Sequence, residues 1–319
     1  MTHSKAGRAC HKVQTARLAL LSGALSCILT SALASAETFV LPPPDQDVVG
    51  EVRITRARQT DTLLDIARAF NLGYEEIVRA NPGVDRWLPG QGTDVILPNL
   101  LILPDTPRDG IVLNVPEMRL YYYPKPAQGE TPVVITHPVS VGRMDWKTPL
   151  GKTSVIQKQA DPPWYPPASI KAEHAANGDI LPDVVPGGPG NPLGRFALRL
   201  GIPGYLIHGT NKEYGIGMQV THGCVRLYPE DIKQLYELVP VGTPVYIINQ
   251  PVKIGRHFDG LYVEAHPAMS ELADSDTNQQ VISLLNIAAS AEQLGAEIIP
   301  SAVQLALQQS DGIPLRISH

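Results

Sequence analysis

Residue types suited to acyl transfer gather in one short stretch of this chain. Thr221-His222-Gly223-Cys224-Val225-Arg226 sets a cysteine two residues from a histidine, and a second histidine, His208, lies sixteen residues before the cysteine. A thiol becomes a working nucleophile when a neighbouring imidazolium lowers its pKa. The carbonyl it attacks then needs donors for a developing oxyanion. Backbone N–H groups of a glycine-containing turn, here Gly223 and Cys224, are suited to that. The same His208, His222 and Cys224 are also possible zinc ligands, because three protein ligands and a water make a catalytic zinc site. The residues alone leave both chemistries standing. A buried inert cysteine fits less well beside Thr-His-Gly, which is not an apolar core pattern.

The cysteine count sharpens the reading. The chain has three cysteines, and the other two, Cys10 and Cys27, fall within the first 36 residues. That segment has the three parts of a secretory signal: basic residues Lys5, Arg8, Lys12 and Arg17, an apolar run from Leu18 to Leu33, and the small-x-small site Ala34-Ser35-Ala36. The apolar run is short of the ~20 residues needed to span a bilayer. Residues 1–36 are therefore expected to be a cleaved signal peptide, with export to the periplasm and no transmembrane anchor. The exported chain keeps one thiol, which cannot form an internal disulfide. It also keeps 22 basic against 31 acidic residues, a net charge of −9. That balance argues against nucleic acid or an anionic membrane as a partner.

The elements that must position these residues read as mostly β. Thirty prolines and 27 glycines, with few long helical patterns before residue 270, point to a loop-rich, strand-rich body. Residues 37–49, with Leu41-Pro42-Pro43-Pro44-Asp45, read as a stiff linker. Residues 50–98 read as a small unit of order β-α-α-β: a strand at Val52-Arg53-Ile54, a helix capped by Asp61, a second helix ended by Asn81-Pro82-Gly83, and a closing strand at Val95-Ile96-Leu97. Residues 108–249 read as a larger domain. Its expected strands are Ile111–Val115, Arg119–Tyr123, Val133–Ile135 and Val245–Ile248, and its one helix is Asp231–Leu238, opened by Pro229-Glu230. His208 should sit at the end of a strand, after Tyr205-Leu206-Ile207. The long Pro-Gly loop carrying Trp164 and Tyr165 either lines a substrate groove or covers the sheet. Residues 250–319 read as a helical appendage with a frayed tail. Each of the two main units is expected to close its own core, so the larger should work without the smaller.

Two resemblances attach to these residues. Asp61-Thr62-Leu63, Ile66-Ala67, Asn81-Pro82 and Ile96-Leu97-Pro98 make residues 50–98 similar to a LysM module, which implies binding of N-acetylglucosamine-containing glycan. His208 followed by Thr221-His222-Gly223-Cys224 resembles the signature of the YkuD-type L,D-transpeptidases. Val141-Gly142, Thr148-Pro149-Leu150-Gly151, Pro189–Leu193, Ile207-His208-Gly209-Thr210 and Pro240-Val241-Gly242-Thr243 extend the match over most of residues 109–249. The signal peptide and LysM arrangement looks most like the periplasmic members of Gram-negative bacteria.

That family implies a β-sandwich-like mixed sheet and a two-step acyl transfer without cofactor or metal. Cys224 is then the nucleophile and His208 the acid–base residue, held by the Gly209 carbonyl. His222 supports the geometry, and Gly223 and Cys224 hold the oxyanion. Arg226 binds a substrate carboxylate or makes a structural ion pair, and Thr221, Trp164 and Tyr165 are further candidates for substrate contact. The donor would be a peptidoglycan tetrapeptide stem. The acceptor would be an amine of another stem or the terminal lysine of an outer-membrane lipoprotein, or water in an L,D-carboxypeptidase. A wall-binding protein with an inactive domain is the reading from a different class, and the intact His208, His222 and Cys224 weigh against it.

Overall fold

The strand-forming sequences alternate in a way that buries both faces of one sheet. In Ile111–Leu113 and Leu120–Tyr123, odd and even positions are equally apolar and equally buried. Ile111, Leu113, Leu120 and Tyr122 enter one core with Val155, Leu198, Ile207 and Val225. Val112, Tyr121 and Tyr123 enter a second core with Val49, Leu101 and Val134. Side chains on successive residues leave opposite faces of a strand, so a near-continuous apolar run requires cover on both sides. Each such side chain contributes about 1.5–3 kcal/mol when fully buried.

The computed structural model describes Met1 and residues 37–143, 146–269 and 276–319. The expected signal peptide, with Cys10 and Cys27, lies outside the described residues. The order begins with β1 (Glu37–Val40), β2 (Val48–Val49), β3 (Val52–Arg56), α1 (Leu63–Ala69), α2 (Tyr74–Ala80), β4 (Asp94–Pro98) and β5 (Leu101–Ile102). It continues with β6 (Gly110–Asn114), β7 (Arg119–Tyr123), β8 (Val133–Pro138), β9 (Val141–Gly142), β10 (Gly151–Ala160), α3 (Ala168–Ala176), β11 (Phe196–Leu200) and β12 (Leu206–His208). After a 3-10 turn at Glu213–Gly215 come β13 (Gln219–Thr221), β14 (Val225–Arg226), α4 (Pro229–Leu238) and β15 (Pro244–Ile248). The chain closes with β16 (Val252–His257), β17 (Gly260–Ala265), α5 (Asp276–Leu294), α6 (Pro300–Gln309) and β18 (Leu315–Arg316).

Nine strands make the main curled sheet, in the order β1-β8-β7-β6-β15-β10-β11-β12-β14. Two neighbour pairs in it are parallel, β6 with β15 and β12 with β14. The α4 helix packs Ile232 and Leu235 into the first core. Pro229 stands in its first turn, as expected of a proline whose missing N–H costs nothing there.

Several expectations are corrected. Residues 37–49 are not a free linker: Glu37–Val40 pairs antiparallel with β8 as an edge of the main sheet, and Val48–Val49 pairs with β5. The α1 cap is Thr62, not Asp61; Thr62 and Asp65 form a reciprocal capping box. Residues 250–319 are not simply helical. A hairpin of β16 and β17 joined by β18 packs on α5 and α6 around Leu261, Val263, Ile287, Val303 and Ile317. The tail is not frayed, since Ile317 is fully buried.

The β3-α1-α2-β4 unit has its own small core of Leu63, Ile66, Leu72, Ile77, Val95 and Leu97. It is nonetheless riveted to the sheet. Glu76 of α2 accepts from buried Arg119 of β7 at 2.6 and 2.9 Å, and Asn71 Nδ2 donates to the Thr136 carbonyl at 3.0 Å. The Tyr74 and Glu75 N–H groups, unsatisfied within α2, donate to the carbonyls of Ile216 and Gly217. Gly217 has φ +82°, and a Cβ there would meet Gly73 Cα and Tyr74 N at 2.3 Å, so only glycine allows this approach.

Candidate active site

The β12–β14 pairing sets the segments that carry His208 and Cys224 side by side. Ile207 faces Val225 and His208 faces Arg226 in parallel register, and Ile207 and Val225 point into the core. Alternation then puts His208, Arg226 and the preceding Cys224 on the opposite face. Cys224 is half-buried and is a free thiol, and its Sγ lies 3.7 Å from the Gly204 carbonyl oxygen.

The turn that presents Cys224 is locked from two sides. Gly223 adopts φ +97°, a conformation open to glycine and strained for other residues. Thr221 Oγ1 accepts from the Gly223 N–H at 3.1 Å and donates to the Cys224 carbonyl at 2.6 Å. Thr148 Oγ1 donates to the Gly223 carbonyl at 3.0 Å and accepts from the Gly142 N–H at 2.9 Å. Two expectations change. Thr221 is fully buried and shapes the turn, so it is not placed to touch substrate. Of the two expected oxyanion donors, the Gly223 N–H is already committed to Thr221.

His208 Nδ1 lies 2.6 Å from the Gly209 carbonyl oxygen. A carbonyl only accepts, so Nδ1 carries the proton and the lone pair of the neutral ring is at Nε2. Burial, then the Arg226 charge, pulls the His208 pKa down to about 3, against the opposing carbonyls of Gly209 and Leu193. Burial likewise pushes the Cys224 thiol up, against the Leu206 N–H and the Arg226 charge. The sequence suggests a thiolate beside an imidazolium. Burial works against the charged form of both groups, the opposite tendency.

Arg226 is half-buried, its Nε has no hydrogen-bond partner, and burial lowers its pKa. Among the described residues it makes no ion pair. His222 takes a different partner. Its Nε2 lies 2.8 Å from Glu173 Oε2, and its ring meets Trp146 edge-on at 5.3 Å. Arg143 donates to the same Glu173 carboxylate at 2.8 Å, and the two hydrogen bonds, His222 first, hold that carboxyl at about 2. Glu173 belongs to α3, within the long loop between β10 and β11. That loop is further pinned by a bridge between Trp164 and Val185, while Tyr165 stands exposed and outside the core. The bonds of His222 to Glu173 and of His208 Nδ1 to Gly209 leave His208 Nε2 and His222 Nδ1 uncommitted, but His208, His222 and Cys224 are not among the described residues whose ligand atoms gather in one group. Among the described residues, the group that brings three ligand atoms together is Glu117, Glu264 and His266, where Lys253 Nζ already sits 3.0 and 2.7 Å from the two carboxylates.

Glu173, Arg143 and Thr148 are the residues of this site that sequence reasoning missed. Thr148 carried a signal, the Thr148-Pro149-Leu150-Gly151 motif, but no role. Nothing local marks Glu173.

The comparisons agree with the geometry. Residues 108–247 match the family YkuD, described as the L,D-transpeptidase catalytic domain. The chain is 40% identical over 304 residues to "Probable L,D-transpeptidase YbiS" of Escherichia coli strain K12, covering 94% of this chain and 98% of that protein. It is 40% identical over 290 residues to "Probable L,D-transpeptidase YcfS" of the same strain, covering 89% of each. It is 39% identical over 296 residues to "Probable L,D-transpeptidase ErfK/SrfK" of Salmonella typhimurium, covering 91% of this chain and 94% of that protein. With Cys224 and His208 on one face of neighbouring strands inside the matched segment, the chain belongs to the YkuD-type L,D-transpeptidase family.

Proposed function

We propose that this protein is a peptidoglycan L,D-transpeptidase in which Cys224 is the nucleophile and His208 the general base. The observation that supports it is the parallel β12–β14 register, with Cys224 and His208 on one face of adjacent strands and His208 Nδ1 occupied by Gly209. The proton then leaves Cys224 as the sulfur attacks, not beforehand. The carbonyl attacked is at the L-centre of diaminopimelate in a tetrapeptide stem. The Cys224 N–H faces the oxyanion. Collapse expels D-alanine, whose nitrogen takes the proton from His208, and leaves a thioester. An acceptor amine attacks the thioester, His208 takes its proton, and the thiol is restored.

Arg226 holds a substrate carboxylate: it is a partly desolvated guanidinium that makes no ion pair with the described residues, and charge-assisted pairing to a carboxylate would complete it. His222, held by Glu173, fixes the entry of the Cys224 turn, and Trp164 and Tyr165 border the substrate path. The β3-α1-α2-β4 unit is a LysM module that engages the glycan, and residues 1–36 direct export to the periplasm. No helix of the described residues is long and apolar enough to cross a membrane. The acceptor is the side-chain amine of another stem or a lysine-ended envelope lipoprotein.

The test is mass spectrometry of the purified protein with defined disaccharide-tetrapeptides, with and without a lysine-ended peptide. A Cys224 adduct retaining the stem minus D-alanine, followed by transfer to an amine, is expected. Release of free tripeptide with no amide product would make the protein a carboxypeptidase. The absence of any adduct would reject thiol catalysis.

A further inference from the structure

The segment between the candidate base and nucleophile, residues 209–223, is held in its middle by the β3-α1-α2-β4 unit. Arg68 of α1 pairs through Nη1 with Glu213, which follows His208 in the chain, and through Nη2 with Glu230 at 3.1 Å, which follows Cys224. One guanidinium thus ties the loop that leaves the base to the helix that comes after the nucleophile. It also lies 5.0 Å from the ring centroid of buried Tyr228, whose hydroxyl donates to the Leu72 carbonyl at 3.4 Å. Backbone bonds extend the hold: the N–H groups of Tyr74 and Glu75 donate to the carbonyls of Ile216 and Gly217 at 3.0 and 3.2 Å. The larger domain adds its own ties, with Ser140 Oγ donating to the Gly215 carbonyl at 2.5 Å and the Val141 N–H to the Met218 carbonyl at 3.2 Å.

The Arg68 pairs matter differently for folding and for catalysis. The three side chains keep about a third or more of their surface exposed, and ion pairs in contact with water add little to stability. Reaction rate is the more sensitive quantity, since a misplacement of ~1 Å can cost on the order of 100-fold. A weak clamp that bridges two segments can therefore be felt in the rate before it is felt in unfolding. The bridge needs a guanidinium. Its planar fork presents separate nitrogens to two carboxylates, whereas a lysine ammonium is a single point charge.

We propose that Arg68 is a positioning residue for the acyl transfer, fixing the His208 and Cys224 segments relative to each other from outside the domain that carries them. The proposal rests on the reading of Cys224 as nucleophile and His208 as base. It gives the small unit a part in the chemistry that is separate from any ligand it binds.

The test uses the full exported chain, with steady-state release of D-alanine from a tetrapeptide stem, urea unfolding, and amide hydrogen exchange. In Arg68→Met, kcat should fall about three- to tenfold while KM and the urea midpoint stay as in wild type. The fall stops short of ~100-fold because the backbone bonds to Ile216 and Gly217 remain. Amides of residues 211–223 should exchange faster. Arg68→Lys, which can still pair with one carboxylate, should recover part of the rate. Arg56→Met is the control, because Arg56 pairs with Asp94 inside the small unit, at 3.2 Å, and its loss should leave kcat unchanged. An unchanged kcat in Arg68→Met, an equal loss in Arg56→Met, or a loss of rate matched by a fall in the urea midpoint would overturn the proposal. A raised KM with kcat intact would overturn it too, by making Arg68 a substrate contact. Should wild type release no D-alanine, the transpeptidase reading fails, and the exchange of residues 211–223 still decides whether Arg68 holds the loop.

Discussion

Lys253 and Arg226 are both cations drawn out of water, and their surroundings are opposite. Lys253 Nζ is fully buried between Glu117 and Glu264 and also donates to the Ile102 carbonyl at 2.7 Å and to Tyr121 Oη at 3.2 Å. Burial alone would raise the Glu264 carboxyl, but Lys253 and His266 hold it below its ordinary value. Arg119, in the seam with α2, is likewise saturated by Glu76 and Thr136 Oγ1. Arg226, next to Cys224, meets no carboxylate of the described residues. A buried charge without a partner is costly, and such a cost persists where a ligand completes the site. The seams spend their charges internally, and the active site keeps one in reserve.

The largest effect expected from this contrast is at the site. Cys224→Ala should abolish thioester formation and transfer while leaving the urea midpoint unchanged. Any transfer by this variant would remove the thiol from the mechanism. The seam should behave the other way. Glu76→Ala leaves Arg119 buried without its carboxylate and should cost roughly 3–5 kcal/mol in denaturant unfolding. Arg226→Met, by contrast, should not lower stability, because it removes a charge that meets no carboxylate of the described residues, yet should raise KM for a tetrapeptide about tenfold or more, as loss of a charge-assisted bond implies. A stability loss in Arg226→Met equal to that in Glu76→Ala would erase the distinction. Deleting everything before Asp105 removes β1, β2 and Glu76 together. The sequence suggested that such a chain would fold; the structure predicts that it will not, and circular dichroism of the truncated protein checks this.

A smaller effect sharpens the electrostatics of the site itself. His208 has its pKa lowered to about 3, so the ring stays neutral and able to accept a proton until the pH falls toward that value. The acylation rate should therefore show no acid limb from His208 between pH 8 and 5. An imidazole of ordinary pKa near 6.5 would lose about thirtyfold of its base form by pH 5. A fall of that size, absent in a His222 variant, would reassign the base. The smallest effect is expected at Glu173. Glu173→Gln should lower kcat severalfold by loosening His222, and should have no further effect in a His222→Ala background, since the two act as one unit.

What could be read from the sequence follows the range of the interactions. The Cys224 motif, the strands flanking Leu113 and Tyr122, and the β-α-α-β order are all patterns within a few tens of residues. What was missed is non-local. Glu173 meets His222 from 49 residues away, and Glu37–Val40 finds its partner in residues 133–136. A triple proline after β1 read as a linker because nothing in those residues indicates the edge they complete. Residues 252–265 alternate as strands should, yet the helical pattern of 281–307 dominated that end of the chain. Burial was the other hidden variable, because the pKa shifts of Cys224 and His208 depend on what covers them.

The parallel pairing of β6 with β15 carries a consequence for how the chain reaches its native state. Ile111 stands opposite Val245, a partner 134 residues later in the chain. Contacts that close so long a loop forfeit chain entropy before they return any contact energy, which slows folding. Until β15 arrives, one side of β6 offers unpaired N–H and C=O groups on an apolar strand, a template for association with other chains. Refolding should therefore compete with aggregation in a concentration-dependent way, and a chain stopped short of Pro244 should retain that open strand permanently.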